Sequence, residues 1–145
     1  MADRTEQWPE FFVDRSLGKS IVEALRAAGL TAHSMADVYG EERAQRLPDE
    51  VWLRDVGENG WVVLTKDDAI RRRPAERDAM VSASVRVFCL TTANLRGSEQ
   101  AERFVANRHR IIRQSRKAGP YIYGVYEIGL KRLWPPADLL GRGRT

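Results

Sequence analysis

The sequence predicts an α/β protein built around a mainly parallel β-sheet. Short apolar runs alternate along the chain with segments of helical periodicity, which is typical of successive strand–helix units. Asp14 and Asp67 each close an apolar run, and in an open α/β sheet the ligand crevice lies just beyond the carboxyl ends of the strands. Two carboxylates brought there repel each other unless a cation lies between them. Mg²⁺ or Mn²⁺ is the simplest cation for such an oxygen-lined site.

Length and composition fit one globular domain. The chain has 145 residues, of which 43% are hydrophobic and 30% charged, enough for a substantial core. We predict a single domain over residues 1–136. A flexible C-terminal tail is expected over residues 137–145, because terminal segments such as this one are poorly ordered unless other elements hold them.

Several features favour a cytoplasmic protein with no membrane partner. No apolar run approaches the length of a transmembrane helix, and the first residues, MADRTEQWPE, are too polar for a signal peptide. Cys89 is the single cysteine, so no internal disulfide can form and a reducing compartment is the simplest expectation. The lack of a Cys/His cluster argues against a structural zinc site.

Charge is divided unevenly along the chain. Residues 1–70 hold 14 Asp and Glu against 8 Lys and Arg, whereas residues 71–145 hold 6 against 16. A high arginine content is also typical of GC-rich genomes, but that explanation does not account for the segregation. The division predicts an acidic half that holds cations and a basic half that holds phosphates.

Strands are predicted where short apolar runs are bounded by turn residues. Asn59-Gly60 is the expected turn into the third strand, and the second strand is the weakest candidate. The five predicted strands cover residues 10–14, 31–38, 61–65, 85–90 and 121–128.

Helices are predicted from apolar stripes at helical spacing. The first follows strand one and ends at Gly29, and the second begins near Pro48 and runs to about residue 58. The longest covers about residues 99–117, with Ser98 as its cap and Gly119-Pro120 at its end. Two polar segments are less defined: residues 40–46 form a loop or short helix, and residues 66–80 are irregular with some helix.

Asp14 has two interpretations at this point. It could bind a metal at the end of strand one, or it could cap the next helix, since Asp is a favoured N-cap residue. Ser16 can also cap, which would free Asp14.

The pair Asp67 and Asp68 could likewise bind metal or cap a turn. Consecutive side chains diverge, so we expect Asp67 to bind the first metal and Asp68 to assist, hold a second ion or cap a turn.

Asp49 is the third candidate metal ligand. On the helix that begins near Pro48 it shares a face with Trp52, Leu53 and Val56, at spacings of three, four and seven residues. Those apolar residues must face the sheet, so Asp49 is carried inward. The alternative is an acid favoured by the helix dipole alone.

The basic residues near the acids are candidates for substrate binding. Arg71, Arg72 and Arg73 follow the acid pair directly, and arginine binds phosphate bidentately. Arg15 and Lys66 follow Asp14 and precede Asp67, so they would also lie beside the substrate. The alternative for the arginine run is solvated surface charge. The serines and histidines lack the context of a nucleophile elbow or a triad.

Three stretches, FFVDRSLG, LPDEVWL and GWVVLTKDDAIRRRPAE, occur in this order, and GPYIYGVY follows near the end. Together they resemble the PIN-like nuclease group, in particular the compact PIN-like domains of VapC-type toxins. The resemblance extends from about Phe11 to Tyr126. It implies a three-layer α/β/α sandwich with a central, mainly parallel sheet.

The resemblance also implies a function. It assigns metal-binding roles to Asp14, Asp49 and Asp67, with Asp68 as a helper, in a Mg²⁺- or Mn²⁺-dependent ribonuclease that cleaves single-stranded RNA. Typical members bring an acid, often Glu, from a helix between the two metal motifs, so Asp49 must serve there, or Glu41 or Glu42 must.

The expected partners are RNA, an antitoxin protein and a second copy of the chain. The alternative function is an inactive PIN-like module that binds RNA or protein without cutting. A second alternative is a metal-dependent phosphatase or a response-regulator-like domain, since both also place Asp at strand ends. Either would usually carry an acid pair on the first strand, where this chain has Asp14 alone.

Overall fold

The structure, a computed structural model, describes residues 8–91 and 94–136. These residues form a six-stranded sheet in the order β2-β1-β3-β4-β5-β6. The first five strands in that order are parallel, and β6 pairs antiparallel with β5 at the edge. The strands are β1 (Glu10–Val13), β2 (Thr31–Ser34), β3 (Val62–Thr65), β4 (Arg86–Leu90), β5 (Tyr121–Val125) and β6 (Leu130–Trp134).

Helices cover both faces of this sheet, so the predicted three-layer α/β/α sandwich is confirmed. Successive strand residues point to opposite faces: Phe11 and Val13 pack against one helical layer and Phe12 against the other. The first layer contains α1 (Lys19–Ala27), α6 (Gly97–Ala106) and α7 (Arg108–Ser115). The second contains α2 (Met35–Tyr39), α3 (Glu41–Ala44), α4 (Asp49–Asn59) and α5 (Pro74–Ser82).

The order of the strands places the ends of β1 and β3 at a switch point. The chain leaves β1 through α1 toward β2 on one side, and later returns to pair β3 with the other side of β1. The loops that follow β1 and β3 therefore diverge, and a crevice opens between them. Asp14 and Asp67 lie on these two loops.

The predicted strand over residues 31–38 was too long. β2 ends at Ser34, whose side chain accepts a hydrogen bond from the Asp37 backbone N–H at 3.0 Å. This cap starts α2 at the next residue, because a serine N-cap supplies the acceptor that the first helical turn lacks. The segment predicted as a loop or short helix forms α3.

The prediction of a single long helix over residues 99–117 is wrong. The chain forms α6 and α7, separated at Asn107, and α6 begins before Ser98, with Arg96 as its N-cap. The Asn107 side chain is fully buried and donates to the carbonyls of Arg103 and Tyr126, at 2.9 and 2.8 Å. These bonds tie the helix break to the end of β5.

The last predicted strand, over residues 121–128, ends early at Val125, and β6 was not predicted. Gly129, at a φ of 103°, reverses the chain between the two strands. Its backbone N–H donates to the Asn107 side chain at 3.0 Å. β6 lacks a clear apolar alternation because it is a partly exposed edge strand.

The charged segment over residues 66–80 is more ordered than predicted. It forms a 3₁₀ helix over Asp68–Arg72 and then α5. Pro74 occupies the first turn of α5, where its fixed φ suits a helix start. The predicted flexible tail over residues 137–145 lies outside the described residues. Within the described ranges, no helix is both long and apolar enough to cross a membrane.

Candidate metal centre

Asp14 lies at the base of the crevice and is almost fully buried, with 4% of its surface exposed. Its Oδ2 accepts hydrogen bonds from the Thr65 hydroxyl at 2.6 Å and the Ser16 hydroxyl at 3.0 Å. Burial raises the pKa of this carboxyl, and the charge on Asp49 raises it further, whereas the two hydroxyl bonds lower it. The N-cap position of α1 belongs to Gly18 rather than Asp14.

Asp49 stands in the first turn of α4, above the inward face of the helix. Trp52, Leu53 and Val56 on that face are fully buried. The Trp52 indole Nε1 donates to Asp49 Oδ1 at 2.9 Å. The buried indole therefore fixes this carboxylate on the crevice side of the helix.

Asp67 follows β3 and begins the 3₁₀ helix. Its Oδ1 accepts from the Ala69 backbone N–H at 3.0 Å, and its own N–H donates to the Thr65 hydroxyl, also at 3.0 Å. Asp67 is thus an N-cap as well as a crevice acid. Its neighbour Asp68 points elsewhere and pairs with Arg71 and Arg72, at 3.8 and 3.4 Å.

Glu76 is a crevice acid that the sequence reasoning missed. It lies in the first turn of α5, and only 14% of its side chain is exposed. Burial raises the pKa of this carboxyl, as does the charge on Asp49, although a hydrogen bond from Arg73 acts in the opposite direction. Pro74 two residues earlier was the available signal, because it marks a helix start.

Three of these carboxylates converge. One oxygen each from Asp49, Asp67 and Glu76 can be chosen so that all three lie within 4.8 Å of one another. We call these three residues the acidic cluster. Asp14 and Asp68 are not members, although Asp14 is near enough for its pKa to respond to Asp49.

The Arg73 guanidinium lies within the acidic cluster. Its Nη1 is 2.8 Å from Asp67 Oδ2, 3.0 Å from Glu76 Oε1 and 3.9 Å from Asp49 Oδ2. The bonds to Asp67 and Glu76 raise the pKa of this guanidinium. A single positive nitrogen therefore contacts all three acids.

Each of the other basic residues proposed from the sequence makes at least one contact outside the acidic cluster. Arg15 donates to the carbonyls of Gln45 and Leu47 and lies 3.5 Å from Asp49. Arg71 donates to the Leu133 carbonyl on β6 at 3.3 Å. Arg72 is exposed and pairs with Asp68. Lys66 is exposed, and its backbone N–H donates to the Ser16 hydroxyl at 3.1 Å.

Glu41, Glu42, Cys89 and His33 are not members of the acidic cluster. Glu41 pairs with Lys19 at 3.1 Å, and Glu42 pairs with Arg46 at 3.4 Å, all of them at exposed positions. Burial raises the pKa of the Cys89 thiol to about 12, so this thiol stays protonated and unreactive at neutral pH. His33 is engaged by Glu10 at 2.7 Å and by the Trp61 ring.

The acidic cluster fits a divalent metal ion. It offers hard carboxylate oxygens, as Mg²⁺ and Mn²⁺ prefer, and these oxygens are already gathered around a cationic group. The donors come from three separate elements, α4, the β3 loop and α5. Asp49, Asp67 and Glu76 are therefore the residues that would hold the ion.

The chain matches known proteins over most of its length. The family model described as "PIN like domain" matches residues 9–92, which include the whole acidic cluster. A Mycobacterium tuberculosis protein named "Putative ribonuclease VapC45" is 37% identical over 123 residues, covering 84% of this chain and 89% of that protein. No solved structure matches. The chain belongs to the PIN-like domain family.

Proposed function

We propose that the protein is a divalent-metal-dependent endoribonuclease that cleaves single-stranded RNA. The observation that carries the proposal is the convergence of Asp49, Asp67 and Glu76 at the carboxyl ends of the strands. The similarity to a protein named a ribonuclease supports the same function. The metal would be Mg²⁺ or Mn²⁺, both of which bind carboxylate oxygens.

The acidic cluster would act by holding the cation that the reaction needs. The chemistry that such an ion would supply is activation of water and stabilisation of charge on the phosphoryl oxygens. Trp52 would keep Asp49 turned into the crevice, and the Ala69 N–H would fix Asp67. Asp14, at the base of the crevice, would be a fourth acid near the ion. Its negative charge would favour entry of the cation. Asp68 would assist only indirectly, by orienting Arg71 and Arg72.

The basic residues around the crevice would bind the RNA backbone. Arg15, Lys66, Arg71, Arg72 and Arg73 lie on the loops and helix starts that surround the cluster. Phosphate neutralisation by such residues supplies affinity without sequence information. A groove of about 800 Å³ beside Asp14 and Arg15 is bounded by α1, α2 and α3. It would accommodate the continuing strand or a segment of a protein partner.

We further propose that the protein is the toxin of a toxin–antitoxin pair in the cytoplasm. The support is the VapC name of its relative and an excess of positive charge, +4 over the whole chain, which suits an acidic inhibitor. Co-expression with the neighbouring open reading frame tests this pairing. Growth arrest by the chain alone, relieved by co-expression of that neighbour, is the expected result.

A second copy of the chain is another proposed partner, and light scattering would detect the dimer.

The nuclease proposal is tested by incubating the protein with a labelled single-stranded RNA and Mg²⁺ or Mn²⁺. Cleavage should stop in EDTA and return when metal is added in excess. Asp49→Asn and Asp67→Asn should each lower the rate at least about 100-fold, since even residues that only orient metal ligands are worth 10- to 100-fold.

Glu50→Gln is the matched control for Asp49→Asn. Glu50 is the next residue on α4 and lies outside the acidic cluster, so this variant should cleave at the wild-type rate. Undiminished cleavage in EDTA, or by Asp67→Asn, would rule out the metal mechanism.

A second candidate is a PIN-like module that binds RNA or protein without cutting. The observation in its favour is Arg73, which already neutralises part of the acidic cluster. RNA binding without cleavage in Mg²⁺, Mn²⁺ or Ca²⁺, together with no metal uptake, would identify this module.

A further inference from the structure

Arg73 differs from Arg15 and Arg71 in what holds its side chain. The Arg15 and Arg71 guanidinium groups are fixed by backbone carbonyls. In the described part of the chain, every hydrogen bond of the Arg73 side chain goes to a carboxylate of Asp67 or Glu76. No uncharged group of the scaffold therefore retains this guanidinium inside the cluster.

The Arg73 guanidinium would compete with a metal ion for the same carboxylate oxygens. Its Nη1 lies 2.8 and 3.0 Å from oxygens of Asp67 and Glu76, the acids that would hold the ion. Mg²⁺ binds carboxylate oxygens at about 2.0–2.1 Å. An ion drawn to the same oxygens would meet the guanidinium nitrogen at close range, and the two positive charges would repel each other.

The Arg73 side chain also has room to move out of the acidic cluster. About half of its side chain, 46%, is exposed, and its backbone forms the N-cap of α5 at the edge of the crevice. Only the side chain needs to rotate outward, because the following residue, Pro74, fixes the helix start. A side chain that moved outward from this position would still lie beside the crevice, because its backbone stays at the N-cap of α5.

We propose that Arg73 is a tethered counter-ion, which neutralises the acidic cluster in the metal-free protein and is displaced by the divalent ion onto the RNA backbone. The displaced guanidinium then contacts a phosphate next to the cleavage site. One residue would thus lower metal affinity in the absence of RNA and raise RNA affinity once metal is bound. RNA and metal would bind cooperatively, because RNA gives the guanidinium an alternative partner.

This inference rests on the proposed function, since it requires a metal bound by the acidic cluster. It is tested by titrating wild type and Arg73→Gln with Mn²⁺ and following free Mn²⁺ by electron paramagnetic resonance. Arg73→Gln should bind Mn²⁺ about fivefold to tenfold more tightly, because one partly exposed charge-assisted contact is removed. Arg73→Lys, which keeps the charge, should bind Mn²⁺ with nearly wild-type affinity.

Arg77→Gln is the matched control, because it removes the same charge four residues further along the chain, on α5. In the described residues Arg77 makes no ion pair with the acidic cluster, so this variant should bind Mn²⁺ like wild type. At saturating Mn²⁺, Arg73→Gln should show a KM for single-stranded RNA raised about tenfold. Metal affinity and RNA affinity would then change in opposite directions, which general loss of structure would not produce.

The outcomes separate the two proposals. If wild type binds Mn²⁺ through Asp67 but Arg73→Gln binds it equally or less tightly, the counter-ion role is overturned and the metal site stands. If neither wild type nor Arg73→Gln binds Mn²⁺, the metal site and the counter-ion role are both overturned. Tighter Mn²⁺ binding with an unchanged KM for RNA would overturn the transfer of Arg73 to the phosphate.

Discussion

The hydroxyl of Thr65, the last residue of β3, donates a 2.6 Å hydrogen bond to the carboxylate of Asp14 at the end of the neighbouring strand β1. Both residues are buried. The same Thr65 oxygen accepts from the Asp67 N–H at 3.0 Å. One hydroxyl therefore links the buried acid of the first strand to the loop that carries a member of the acidic cluster.

Thr65→Val should destabilise the protein by about 1–3 kcal/mol at neutral pH, because it leaves a buried carboxylate without its shortest hydrogen bond. Urea unfolding measures this change. In the background of Asp14→Asn the cost of Thr65→Val should shrink, since the charge that needs the hydroxyl is gone. Equal costs in both backgrounds would mean that the hydroxyl acts through packing or through Asp67 instead.

Asp14→Asn should change how stability depends on pH in the metal-free protein. The folded-state pKa of Asp14 is raised above its ordinary value of 3.8, mainly by burial. Its contribution to the free energy of unfolding is therefore fully present below pH 3.8 and is lost as the pH rises through the raised folded-state pKa. Asp14→Asn removes that loss, so the variant should gain stability relative to wild type as the pH rises through this window.

Urea unfolding in EDTA at a series of pH values measures the difference between the two proteins. A constant difference at every pH would contradict a raised pKa for Asp14. In the proposed mechanism the same variant should also cleave RNA poorly, so that stability at neutral pH and activity change in opposite directions.

Glu76→Gln should weaken Mn²⁺ binding and RNA cleavage to about the same degree as Asp67→Asn, a loss of at least about 100-fold in rate. Asp78→Asn is the matched control, because Asp78 lies on the same helix but is exposed. Isothermal titration with Mn²⁺ and a single-turnover cleavage assay measure the two effects. Wild-type metal affinity in Glu76→Gln would remove this residue from the site.

Arg71→Ala and Arg72→Ala should have different effects, although the residues are adjacent. Arg72 is exposed and pairs with Asp68, so its loss should reduce the salt dependence of RNA binding by about one unit of slope and leave stability unchanged. Arg71 is more buried and donates to the Leu133 carbonyl on β6, so its loss should also lower the free energy of unfolding. Filter binding at several salt concentrations and thermal unfolding measure the two effects, and identical behaviour would contradict the assignment.

Asn107→Ala should destabilise the protein by about 1–3 kcal/mol, because it leaves buried partners without hydrogen bonds. The Asn107 side chain joins α6, the end of β5 and the turn before β6. Amide hydrogen exchange should show the largest loss of protection in β6, the edge strand that this side chain helps to position. Unchanged protection in β6 would mean that the loss of stability in Asn107→Ala comes from the helices alone.

The sequence by itself determined the fold class and the family. Strands come from short apolar runs, whose alternate side chains fill two helical layers, and this is a local property that Phe11, Phe12 and Val13 already show. The inward face of α4 could also be predicted from the local sequence, because Trp52, Leu53 and Val56 repeat with the helical period. Asp49 could therefore be placed near the sheet without knowing any contact.

Only the tertiary structure decided which groups meet. Glu76 lies beside Asp49 because α5 packs in the same helical layer as α4. Arg73, as the N-cap of α5, lies at the same place. The break at Asn107 and the pairing of β6 likewise depend on partners up to 22 residues away in sequence. Local periodicity contains no information about such contacts, because convergence in space depends on how separate elements are oriented on the sheet.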